Sequence, residues 1–119
     1  MIDEFIQRAF CSRNAAHIAH WRTKSYAQHV ALNAFYDNIV DATDKLVEAY
    51  MGATGKVVDE IEIPAVKPIK DILKHLTDEV SWIDENRSDI ANGVSALENI
   101  VDEITGLYLS TIYKLKQLS

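Results

Sequence analysis

The sequence predicts an all-α protein, a four-helix bundle with a long crossover between its second and third helices. Three observations lead there. Glycine (4) and proline (2) are scarce in 119 residues, and long stretches carry apolar residues at the helical period. The only stretch that alternates like a strand, KVVDEIEIPAVKP, also holds both prolines and has no partner strand elsewhere in the chain. A chain of this length suits one domain, residues 1–119, around one core.

The first helix is expected over about residues 2–21. Ile2, Phe5, Ile6, Ala9, Phe10, Ala16 and His20 recur at three- and four-residue steps, with Asp3, Glu4, Arg8 and Arg13 on the other side. Asp3 and Glu4 sit where the helix dipole favours negative charge. The link RTKS is short enough to make the first two helices antiparallel neighbours, and Ser25 is a plausible N-cap. His20 just before this link and His29 one turn after it can face each other across the hairpin.

The second helix, from Ser25 to about Met51, contains neither Gly nor Pro and ends at MGATG. Leu32, Tyr36, Ile39, Val40, Thr43, Leu46, Val47 and Tyr50 form its apolar stripe. His29, Asn33, Asp44 and Glu48 fall within roughly a 100° arc on one flank of that stripe. The pairs His29/Asn33 and Asp44/Glu48 are each four apart, so their side chains are surface neighbours. Imidazole, amide and carboxylates beside a buried face suit a metal ion. Fifteen residues of helix separate His29 from Asp44, about 22 Å. One ion can therefore join them only if a second copy of the helix runs antiparallel to the first.

The crossover over residues 55–68 is expected to be extended along the bundle. A third helix follows over about 69–85, with Ile69, Leu73, Leu76, Val80 and Ile83 inward, and ENRSDIANG is expected to link it to a fourth over about 94–118. The fourth carries Leu97, Ile100, Val101, Ile104, Leu107, Tyr108, Ile112, Leu115 and Leu118, with Gly106 in its middle, where close helix packing is one reason for a glycine. A net charge of −6 argues against a bulk electrostatic grip on nucleic acid or anionic membrane. No run is long enough for a membrane span, and the first residues lack the bases of a signal peptide. The single cysteine, Cys11, has no internal disulfide partner, which suits a reducing, cytoplasmic setting and a packing role.

The run AHIAHWRTKSYAQHVALNAFYDNIVDATDKLVEAY resembles the metal-site region of Dps-like miniferritins, the DNA-binding proteins from starved cells of the ferritin-like superfamily. His20-Trp21 matches their His-Trp pair, His29 the His early in the next helix, and Asp44 with Glu48 their later Asp and Glu. ANGVSALENIVDEITGLYLSTIYKL resembles their last helix. The resemblance implies a divergent, shortened ferritin-like bundle that self-associates as an antiparallel dimer or larger homo-oligomer. It implies iron oxidised or sequestered between twofold-related subunits, with His20, His29, Asp44 and Glu48 as ligands and no catalytic residue beyond that metal site. Zn and Mn suit the same donors. Asn33 stands where the family has an acid, which weighs against a full ferroxidase and leaves it a weak or indirect ligand. His17 shares a face with His20 and is the alternative imidazole. The His20–His29 link is about one turn shorter than the family's, the crossover lacks the family's short helix, and the lysine-rich DNA-binding tail is missing. The competing expectation is a non-catalytic ferritin-like bundle with a structural or interaction role.

Overall fold

A computed structural model describes residues 1–63, 65 and 67–118. Pro64 and Val66, within the expected crossover, and Ser119 lie outside the described residues. The four helices are α1 (Ile2–Arg22), α2 (Tyr26–Thr54), α3 (Ile72–Ile90) and α4 (Ser95–Gln117), with no strand among the described residues. Ser25 caps α2 as expected, its side chain accepting from the Gln28 amide. At the other end Gly55 takes the left-handed conformation (φ 72°) that an L side chain resists, and its N–H bonds Met51 O.

Helix directions follow from cross-helix pairs. Arg8 meets Glu79, Ser12 meets His75, and Arg22 at the end of α1 bonds Ile69 O and Lys70 O just before α3. Rising numbers on α1 thus meet falling numbers on α3, and the two are antiparallel. Lys45 with Glu103 and Phe35 with Tyr108 show the same for α2 and α4. α1 packs on α2 and α3, and α4 packs on α2 and α3, so α1/α4 and α2/α3 are the diagonals. Since α1 and α2 also form a hairpin, α2 and α3 run parallel, and the chain between them must return along the 45 Å length of the molecule. Its described part is irregular, tacked down by Val58 and Ile61 against the core and by Gln7 bonding Glu62 O.

The core is a single cluster drawn from all four helices, with Phe5, Leu32, Phe35, Ile39, Leu46, Leu76, Ile83, Leu97, Ile104 and Tyr108 nearly inaccessible. Val40 and Leu118, expected on apolar stripes, are exposed at 37% and 42%. Three other expectations need correction. α3 begins at Ile72, not Ile69, because the Asp71 carboxylate accepts from Lys74 N and caps it there. It continues through ENRSDI, because Ile90 is fully buried and Arg87 is held across to Glu98 and Asp102 of α4. The turn comes at Asn92 (φ 53°) and Gly93 (φ 70°). Gly106 is exposed, and a Cβ added to it would meet nothing within 4 Å, so close packing does not explain it.

Candidate metal half-site at the α1–α2 hairpin

The three-residue link between α1 and α2 brings His20 and His29 face to face, their ring centroids 3.5 Å apart and planes 21° from parallel. Each ring is tied to the other residue's backbone. His20 Nδ1 lies 2.7 Å from His29 O, and His29 Nδ1 lies 2.9 Å from His20 O. A carbonyl only accepts, so both Nδ1 atoms carry protons and both Nε2 atoms keep a lone pair in the neutral rings. The His20 carbonyl belongs to the last turn of α1, where helical partners run out, so the bond from His29 also closes the helix end. Among the described residues no buried side-chain nitrogen lacks a partner. Nε2 of His20 has no partner among the described residues and therefore reaches the surface, although His20 as a whole is only 9% exposed.

Other aromatic rings surround the pair. His17 stacks on Tyr36 at 4.0 Å and 12°, lies 4.4 Å from Trp21, and Tyr36 turns its edge to His20 at 5.3 Å. The His17 imidazole is held below its ordinary pKa, first by partial removal from water, then by Arg13 and His20, with Asp37 opposing. Tyr36 donates its hydroxyl proton to Asn33 Oδ1, and Asn33 Nδ2 donates to Asp37 at 3.2 Å. Both ends of the Asn33 amide are thus engaged within the chain.

Asp44 and Glu48 are exposed further along α2, with no ion pair or hydrogen bond from their side chains among the described residues. The structure brings His20 and His29 together but keeps these carboxylates apart from them. Among the described residues no three His, Cys, Asp or Glu side chains converge within one chain as a metal site. On the exposed side of α2, Tyr26 and Val30 lie in the first turns, and Asp37, Asp41, Asp44 and Glu48 follow, with exposed Val40 and Lys45 among them.

A polar network between α1 and α3 escaped the sequence reading. Arg8, expected on the solvent side, reaches both oxygens of buried Glu79 (2.9 and 3.1 Å) and lies 4.2 Å from the Trp82 ring centroid. Buried Ser12 lies 3.1 Å from His75 Nε2. Asp71 and His75, four apart on this stretch, go different ways, with Asp71 capping α3 and His75 turned to α1. Burial holds His75 below its usual pKa, Glu79 and Asp78 opposing, and raises the thiol of half-buried Cys11 and the phenol of Tyr108. The available signal was spacing: Ser12 falls on the Phe5–Ala9–Ala16 stripe, and His75 and Glu79 are four apart beside Leu76 and Ile83.

A family model described as a family of unknown function (DUF5856) matches residues 20–115. The chain belongs to the DUF5856 family. The match starts at His20 and spans His29, Asp44 and Glu48, while His17 lies before it. This DUF5856 chain is also 29% identical over 113 residues to an uncharacterized 14.6 kDa protein in the mobD-ri intergenic region of Enterobacteria phage T4. That alignment covers 95% of this chain and 86% of the phage protein. No solved structure matches. No helix among the described residues is long and apolar enough to cross a membrane.

Proposed function

We propose that the protein is a ferritin-like, Dps-like bundle that binds Fe(II) at a site completed by a second copy of α2 running antiparallel. The observation that carries this reading is the reciprocal Nδ1-to-carbonyl lock of His20 and His29, which fixes both tautomers with Nε2 free to ligate. The antiparallel α1/α3 and α2/α4 neighbours, with parallel α2 and α3, support the ferritin-like assignment, since bundles of that class have one long crossover. Imidazole nitrogen suits iron, and equally Zn or Mn. Rings stacked 3.5 Å apart and 21° from parallel do not aim both Nε2 lone pairs at one ion, so each nitrogen is a single donor whose ion needs further ligands. Asp44 and Glu48 of the partner subunit supply the missing charge, and an antiparallel pairing centred near residues 37–38 brings them opposite His29. Fe(II) is the substrate. Carboxylates stabilise Fe(III) relative to Fe(II), so the site favours retention of the oxidised ion after its electron passes to peroxide or dioxygen.

The test is anaerobic Fe(II) binding by chelator-free protein, with molar mass followed by light scattering. A dimer or larger oligomer with one imidazole–carboxylate site per chain is expected, and Asp44→Asn with Glu48→Gln should abolish binding while leaving helicity intact. Binding by a monomer, or undiminished binding in that double variant, would reject the shared site. The engaged Asn33 amide favours a second reading, a metal-free bundle whose α2 face serves assembly alone. In that case the oligomer persists and no iron binds at all.

A further inference from the structure

A cavity of about 470 Å³ opens at the end of the bundle where the α1–α2 link, the start of α3 and the end of α4 meet. It shares no lining residue with the His20–His29 pair, and its size falls within the roughly 300–1,000 Å³ of small-molecule sites. Its apolar lining includes Ala19, Leu32 and Leu115, all buried, with half-buried Ile72 and Leu73 beside them.

The polar lining is short of acceptors. Arg22 Nη1 and Nη2 each hold a crossover carbonyl at 3.1 Å, which fixes the guanidinium and uses two of its five N–H donors. Gln28 Oε1 already accepts from the Thr23 hydroxyl at 2.9 Å, so its amide N–H groups are what it still offers. Lys70 forms no ion pair among the described residues. The one carboxylate present, Asp71, caps Lys74 N at 3.0 Å. Two cations therefore face one committed anion, in a chain whose net charge is −6. A guanidinium already fixed by the fold need lose little freedom when an anion binds.

We infer that this cavity binds a small amphiphilic anion, a carboxylate whose short apolar tail lies on Leu32, Leu73 and Leu115 and whose head meets Arg22, Lys70 and Gln28. Hexanoate, 1-hexanol, hexylammonium and inorganic phosphate separate the contributions, with titrations of the full chain followed by methyl and amide NMR. Hexanoate is expected to saturate at low millimolar concentration or below and to move the signals of Ala19, Leu32, Leu73 and Leu115. Hexanol and phosphate should each bind at least tenfold more weakly, and hexylammonium not at all. Arg22→Gln should weaken hexanoate about tenfold, the scale of one lost charge-assisted hydrogen bond. Because Arg22 also anchors the crossover, Lys70→Gln provides a second variant without that role, expected to weaken hexanoate several-fold. The inference fails if hexanol or phosphate matches hexanoate, or if neither variant changes its affinity. It fails equally if no saturable shifts occur, or if they map away from Ala19, Leu32, Leu73 and Leu115.

Discussion

Replacing Arg8 by Met is expected to remove the pair that sets the register of α1 against α3. Glu79 is only 8% exposed, and Arg8 is its only hydrogen-bond or ion-pair partner among the described residues. Stranding one charge of a fully buried pair costs about 3–5 kcal/mol. Here the Arg8 side chain is 35% exposed, and a cavity lined by Glu4, Gln7, Cys11 and Glu79 gives water a path to the carboxylate. The expected loss is therefore lower, about 2–3 kcal/mol at pH 7, including the guanidinium–Trp82 contact. Urea unfolding followed by circular dichroism should show the midpoint falling by about 1–2 M at an unchanged slope. Adding Glu79→Met removes the stranded charge, so the double variant should recover most of the loss. A loss below about 0.5 kcal/mol, the range of an unremarkable surface substitution, or a double variant no better than Arg8→Met, would refute the buried-pair argument and weaken the α1/α3 register drawn from it.

Gly106→Ala should stabilise the protein by about 0.5–1 kcal/mol, because the site is exposed mid-helix with room for a methyl group, whereas Gly55→Ala should destabilise it by about 1 kcal/mol because φ there is 72°; thermal unfolding of the two checks the opposite signs. The depressed pKa of His75 means that the unfolded chain binds its proton first. Its contribution is thus fully present above the ordinary imidazole value of 6.5 and is lost as pH falls below it. Stability measured from pH 7.5 downwards should fall less steeply in His75→Gln than in the parent, and identical slopes would contradict the assignment. With a net charge of −6, micromolar protein should not retard duplex DNA at about 150 mM salt, which a gel-shift experiment tests.

Much of this architecture was legible in the sequence because its signals are local. Ser25 and the 3.6-residue stripes mark α1 and the start of α2 almost to the residue, and the short link alone placed His20 opposite His29. The end of α2 differs: it runs three residues past the expected Met51, through Gly52, and stops only at left-handed Gly55. Signals failed where a distant residue decided the outcome. The Asn, Asp and Ser residues of ENRSDIANG resemble a loop, yet Arg87 reaching Asp102 and Ile90 filling the core extend α3 through most of it. Spacing alone makes Asp71 and His75, four apart, neighbours, while capping and Ser12 draw the two in different directions. At the candidate site, the facing imidazoles could be anticipated from spacing. The mutual Nδ1–carbonyl lock could not, since it depends on ring rotations that only the packed hairpin defines, and neither could the engagement of Asn33 by Tyr36 and Asp37.

The shared site is tested most directly by subunit mixing between His29→Ala and Asp44→Ala, each first shown to be folded and unable to bind iron. In a twofold dimer, each mixed pair has one site carrying both defects and one carrying neither. Mixed dimers should therefore regain about half the normal number of iron sites once exchange is complete. If confirmed exchange restores no iron binding, His29 and Asp44 do not meet across subunits and the proposed site is wrong.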